Sequence, residues 1–296
     1  MRVTQTMLNT QMLRNLNSNL KRLEDIQNQM STGKKINKPS DDPVGISFSL
    51  RYRAALKENE QFTRNVDSAI SWIDNTESLI SETNDVLQRA RELAVQGANG
   101  VMSDEAMDSI AAEINQLYDH LVKLGNSKFN GKYIFNGQMT DIKPYDETNA
   151  ENDTPNAGEI EMAVGVGVSV PVNIPGSKLF GDSTDTTNAF RVLKDLRDSL
   201  YSHDSVSVDQ ALGDIDSRID KVLETWSEVG AKSSRVDLIK KRLENDNINL
   251  QTLLSSTEDA NMAEVMINMK TEENIYQASL STGARIIQPS LVDFLK

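Results

Sequence analysis

The chain of 296 residues carries 44 acidic against 31 basic side chains, a net charge of −13, and no cysteine. That length allows two or three domains, and the missing cysteines exclude disulfides and thiolate metal sites. No uncharged apolar run approaches the ~20 residues of a membrane span, and the first residues lack the apolar core of a cleavable signal peptide. The two histidines, His120 and His203, stand alone without the HExxH spacing of a zinc hydrolase, so each is expected as an ordinary surface or partly packed residue. The acidity is concentrated: residues 141–230 carry −11, whereas residues 1–60 carry +4. Such a middle segment repels nucleic acid and reads as a solvated outer surface, leaving the near-neutral ends free to pack.

In chain order, the first signal is a stripe formed by Leu13, Leu16, Leu20, Leu23 and Met30 at steps of three and four, with Gln27 in the missing position. This is the spacing of a coiled-coil seam. Next comes a turn-rich stretch in which Gly33 is placed to end the first helix and Ser40 to cap the next, with Asp41, Asp42 and Pro43 in its first turn. Two adjacent acids beside lysines would also suit a metal or phosphate, but capping accounts for every residue. A very long helical pattern then runs from Pro43 to about Gln96, and another from Ser103 to Gly125 along Ile110, Ile114, Leu117, Leu121 and Leu124.

Residues 129–145 have strand composition, with Asn130-Gly131 and Asn136-Gly137 bracketing one short strand. Glu159 to Ile174, with its alternating valines, reads as a small β-element of one or two hairpins. Gly165 and Gly167 lack the context of a nucleotide loop. Helix resumes near Asn188 and again from about Val208 through Leu254, and the register breaks around Ser255 to Asp259. A final stripe follows: Met262, Met266, Met269, Tyr276, Leu280, Ile287 and Phe294, with Glu273, Gly283 and Ser290 keeping step. At ~1.5–3 kcal/mol per fully buried large side chain, neither terminal stripe can be left uncovered. The two ends are therefore expected to pair, with the middle of the chain hung between them.

The fold expected is mainly α: a long antiparallel helical rod or coiled coil built from both termini, with a small β-rich outer insertion. The expected divisions are residues 1–42 with 258–296 as the terminal coil, 43–140 with 186–257 as a helical rod bearing a β-hairpin, and 141–185 as the variable outer part. Nothing in this pattern supplies catalysis or calls for a cofactor or metal.

Three groups of residues carry a resemblance. Met30-Ser-Thr-Gly-Lys-Lys-Ile with Ser40-Asp-Asp-Pro43, Arg91-Glu-Leu-Ala-Val-Gln with Ala98-Asn-Gly100, and Tyr276-Gln-Ala-Ser-Leu together resemble the bacterial flagellin family of axial proteins. Within it, Lys38-Pro-Ser-Asp-Asp-Pro43, Gly131-Lys-Tyr-Ile-Phe-Asn-Gly137 and Ser290-Leu-Val-Asp-Phe-Leu295 are more similar to the hook-associated, hook–filament junction branch than to filament flagellins. Phe129-Asn-Gly131 is also similar to flagellins. The resemblance implies a tube built by helical self-packing and an extracellular place at the hook–filament junction. It further implies partners: other copies of the chain, hook-associated protein 1, flagellin, a cytoplasmic export chaperone and the flagellar type III export apparatus, without membrane insertion or a cleaved signal. Filament flagellin is the alternative, and a hydrolase carried on a flagellin scaffold a remote one.

Overall fold

A computed structural model describes residues 5–98 and 102–287. It is mainly α, with long helices, two small hairpins and a paired N- and C-terminal helix, the class expected from the sequence. The helices are α1 (Gln5–Thr32), α2 (Pro43–Gly97), α3 (Asp104–Gly125), α4 (Gly176–Phe180), α5 (Ala189–Tyr201), α6 (Ser205–Glu258) and α7 (Met262–Ile287). Their ends follow the sequence punctuation. Gly33 sits at φ +69° immediately after α1, a backbone state that costs glycine little and other residues more. The Asn188 side chain accepts from the Phe190 and Arg191 amides and so caps α5.

One expected cap is different. Asp42, not Ser40, caps α2: its Oδ1 accepts from the amides of Val44 at 3.0 Å and Gly45 at 2.9 Å, with Pro43 as the first helical residue. The reason is the turn just before it. Asp41 Oδ2 accepts from the amides of Asn37 and Lys38, and closing that turn leaves Ser40 two positions before the capping residue.

The chain forms two compact units. One contains residues 1–58 and 246–296, the other residues 59–245. Helices α2 and α6 contribute to both, so the units divide inside these helices rather than at residues 42/43 and 257/258. The first turns of α2 belong with the terminal unit because Ser49 and Arg53 bond Glu258 there.

Residues 59–245 enclose a continuous apolar core. Ile73, Ile80 and Leu87 of α2, Ile114 and Leu121 of α3, Leu193 and Leu196 of α5, and Ile215 and Val222 of α6 are all fully or almost fully buried in it. The region expected as a separate outer part, residues 141–185, joins this same core through Tyr145, Val164, Val170, Val172, Ile174 and Phe180. Four aromatic rings fasten it: Phe180 stacks on Phe190 with centroids 5.2 Å apart, Phe135 meets Phe180 edge-on at 5.3 Å, and Tyr145 tilts over Phe190 at 4.8 Å.

The hairpins are smaller than the sequence suggests. Strands β1 (Lys128–Phe129) and β2 (Lys132–Tyr133) pair antiparallel across Asn130-Gly131. Both turn residues have positive φ, +50° and +79°, the conformation of a type I′ turn. Asn136-Gly137 does not close a strand. The Asn136 amide instead donates to the Ile142 carbonyl at 2.9 Å and its Oδ1 accepts from the Asn156 amide at 2.8 Å. That bonding draws two loops together while Ile134 and Phe135 enter the core. Strands β3 (Glu161–Gly165) and β4 (Val168–Pro171) form the second hairpin.

Arg218 of α6 is fully buried and fixes the loop before α5. Its guanidinium donates to Asp185, to the Thr187 carbonyl and to the Leu179 carbonyl, while Lys221 Nζ reaches Asp185 at 3.0 Å. Burial alone would raise the Asp185 carboxyl, but bonds from Lys221, Thr187 and Arg218 hold it well below the usual range. Replacing Phe180 by alanine removes the centre of the aromatic cluster, and a loss of about 3–5 kcal/mol is expected. Urea unfolding followed through Trp72 and Trp226, both in this unit, measures it.

Candidate assembly site

The terminal unit is built on an antiparallel pair of helices. Asn19 of α1 donates to Ser279 Oγ of α7 at 2.8 Å, and Arg22 meets Glu272 at 3.0 Å, so residue numbers rise along one helix as they fall along the other. The inward stripe of α1 comprises Asn9, Met12, Leu16, Asn19, Leu23 and Ile26. That of α7 comprises Val265, Met269, Glu272, Tyr276, Ser279 and Gly283. Both keep the three-and-four spacing of a coiled-coil seam. Met12 lies directly over Gly283, where a β-carbon would stand 1.6 Å from its Cε. Glycine at that step of α7 leaves the space that the end of the Met12 side chain fills.

The residues picked out from the sequence divide between this seam and its flanks. Leu16, Leu23, Met269 and Tyr276 are partly buried in it. Leu13 (54% exposed), Leu20, Met30, Met262, Met266 and Leu280 (43% exposed) lie outside it, facing solvent. Ile287 is the last residue of α7, and Phe294 lies outside the described residues. The expected stripe sits about one residue round the helix because polar Asn19 and Ser279 occupy seam positions that an apolar count passes over. Further apolar side chains, Met7, Leu8 and Ile267, add to the exposed surface. Leu8, Met12, Leu16, Ile275 and Ala278 also line an open groove of about 450 Å³ along the pair.

The loop residues Gly33, Ser40, Asp41, Asp42 and Pro43 lie at the closed end of the pair, where α1 gives way to α2. Opposite them α6 gives way to α7. The two breaks are bonded face to face: the Lys35 amide donates to the Glu258 carbonyl at 2.7 Å, and the Ala260 amide donates to the Gly33 carbonyl at 2.9 Å.

Between them lies a carboxylate that the sequence pattern did not single out. Glu258, 2% exposed, accepts from Ser49 Oγ at 2.6 Å and from Arg53 Nε at 3.0 Å, and also bonds Lys34 Nζ and the second arm of the Arg53 guanidinium. Its burial pushes the carboxyl up, but the bonds from Lys34, Ser49 and Arg53 outweigh this and bring it down to about 2. The only advance signal was an acid at the register break, with arginine and lysine in the facing loop and helix. Among the described residues no group of acidic, histidine or cysteine side chains could hold a metal ion. His120 is exposed beside Glu82 at 3.1 Å, and His203 stands beside Asp108 at 3.3 Å.

The pattern of the bacterial flagellin N-terminal helical region matches residues 3–140, and that of the C-terminal helical region matches residues 212–295. The chain belongs to the bacterial flagellin family. As a member of that family it is a structural component of the extracellular flagellum. It is 27% identical over 269 residues to the flagellar filament 31.3 kDa core protein of Treponema maltophilum, covering 90% of this chain and 89% of that one. It is 31% identical over 190 residues to flagellar hook-associated protein 3 of Escherichia coli K12, covering 64% and 60% respectively. Its fold is similar to that of flagellar hook-associated protein 3 from Legionella pneumophila, with a TM-score of 0.62 at 16% identity over 69% of this chain and 97% of that one.

In this flagellin-family chain Glu258 makes a testable contribution. Glu258→Ala leaves Arg53 and Lys34, both more than 40% exposed, free to rehydrate, so the expected loss is about 1–3 kcal/mol, the cost of lost bonds to a charged group. Hydrogen exchange at residues 46–56 reads it. The folded carboxyl is lower than the unfolded one, so its contribution is complete above pH 4.5 and fades as pH falls through about 2. The difference in protection between the native chain and Glu258→Gln is expected to shrink over that window.

Proposed function

We propose that the chain is a structural, non-enzymatic axial protein that forms the junction between the hook, at its hook-associated protein 1 zone, and the flagellin filament. The observation that carries this reading is the apolar surface on the terminal helix pair. Two helices share one seam, and Leu13, Leu20, Met266, Ile267 and Leu280 lie outside it. Helical packing of neighbouring copies removes such side chains from water at about 25 cal/mol per Å² of apolar area. The junction position is supported by the Lys38 to Pro43 and Gly131 to Gly137 motifs, and by the likeness to hook-associated protein 3.

In this reading the chain is exported through the flagellar type III apparatus without a cleaved signal, and a cytoplasmic chaperone covers its apolar tail before assembly. Hook-associated protein 1 lies on one side and flagellin on the other. The absence of an enzymatic role is supported by the use of residues 141–185: Tyr145, Val164 and Val170 are buried in the core, and Asp185 is held by Arg218 and Lys221.

A second reading, filament subunit, is favoured by the near full-length match to the Treponema filament core protein. Purified chain that grows micrometre filaments alone selects the filament reading; rings or short stacks select the junction. In a deletion strain the junction role predicts hooks that persist while flagellin monomer escapes into the medium. Leu280→Asp tests the surface itself. Leu280 is already exposed in the single chain, so circular dichroism and thermal unfolding are expected to stay unchanged, whereas filament attachment is lost because the charge would enter a water-free contact. Normal attachment by this variant would overturn the assembly role of that surface.

A further inference from the structure

The sequence holds three Asn-Gly pairs, the dipeptide in which no side chain on the second residue shields its backbone nitrogen from the asparagine. Asn99-Gly100 lies outside the described residues. The other two pairs are close in sequence and are held in opposite ways. Asn136 is 5% exposed and both ends of its amide are engaged: the nitrogen donates to the Ile142 carbonyl at 2.9 Å and Oδ1 accepts from the Asn156 amide at 2.8 Å. Gly137 is buried beside it. Asn130 and Gly131 are both exposed at the β1–β2 turn, and among the described residues no hydrogen bond engages the Asn130 side chain or the Gly131 amide.

We propose that Asn130 is a site of covalent self-modification, converting to aspartate and isoaspartate in the folded chain while Asn136 is protected. The Gly131 nitrogen bonds to Asn130 Cγ and gives up its proton, and the side-chain nitrogen leaves as ammonia. Water then opens the five-membered imide: at Cγ it yields aspartate, and at the main-chain carbonyl it yields isoaspartate. Ring closure requires the turn to open, and strands of two residues each resist that weakly. At Asn136 two hydrogen bonds must break before the side chain can turn toward its neighbour. The chemistry is the same whether the chain sits at the junction or in the filament, so its test is independent of that assignment.

Both products place a carboxylate in a turn between Lys128 and Lys132. Isoaspartate also runs the chain through Cβ and Cγ and so lengthens the backbone by one atom. A two-residue hairpin fixes its register through the length and conformation of the loop, so that extra atom breaks the match of β1 with β2. Two further contacts depend on the same turn: Phe129 meets Trp72 edge-on with centroids 5.9 Å apart, and Lys128 Nζ lies 4.4 Å from the centre of the Tyr133 ring. Aspartate at residue 130 keeps the backbone length and suits a type I′ turn as asparagine does.

The full-length chain is held at mildly alkaline pH, folded and in urea, and tryptic peptides are mapped by mass spectrometry over time. Lys132 lies between the two asparagines, so separate peptides report them. In the folded chain Asn130 is expected to convert faster than Asn136 by about tenfold or more, the effect of the two bonds on the Asn136 amide. In urea the two rates are expected to become similar. The isoaspartyl form, separated by ion exchange, is expected to show faster hydrogen exchange at residues 128–133, and Asn130→Asp to match the unmodified chain. An Asn130 that survives in the folded chain while urea exposes it to conversion overturns the proposal, and so does an Asn136 that converts as fast as Asn130 in the folded chain. Unaltered exchange in the isoaspartyl form, or equal acceleration in Asn130→Asp, overturns the break in the hairpin.

Discussion

Two helices packed against each other share one seam, and this constraint governs the terminal unit of the molecule. Each of α1 and α7 carries more apolar residues than one seam accommodates, so the surplus points outward. In a globular domain a third element would cover it. Here the other long helices bury their apolar residues in a core confined to residues 59–245, and the outward apolar side chains of the terminal pair stay exposed in the single chain. The same division explains the charge distribution. Acidic side chains gather on the segment that completes its own core, and the ends of the chain, which carry the exposed apolar side chains, are near neutral.

The polar residues inside the seam fit this picture. Asn19 and Ser279 hydrogen bond across it, and Arg22 both donates to Asn19 Oδ1 and pairs with Glu272. Such contacts contribute little stability compared with apolar packing, but they fix which turn of α1 lies against which turn of α7. A fixed register in turn determines where Leu13, Leu20, Met266 and Leu280 appear on the outside. Polar bonding within the pair thus sets the pattern of apolar groups that the pair presents.

Much of this was readable from the residues. Helical periodicity, with Gly33, Pro43, Gly97 and the break near Asp259 as punctuation, located the long helices to within a few residues. The match between the two terminal stripes also indicated their pairing. The inward face was harder to read because it is partly polar: counting leucines and methionines leads to Leu13 and Leu20, while Met12 and Asn19 make the contact. Glu258 was hidden for a related reason. A single acid in a polar stretch has no periodic signature, and its importance arises from Ser49 and Arg53, more than two hundred positions away. The extent of the β-structure was overstated because Asn136 looks like a turn residue but works as a bridge between loops.

The two units differ in how their residues are drawn from the chain. Residues 59–245 are one unbroken stretch, whereas the terminal unit requires both ends, with Asn19 and Ser279 separated by 260 positions. During synthesis the inner core has all its parts before the last fifty residues are made, while α1 must wait for nearly the whole chain. The exposed apolar surface of the helix pair is thus the last part to be completed. A nascent chain stopped before residue 246 has every part of the inner core and still lacks the partner of α1.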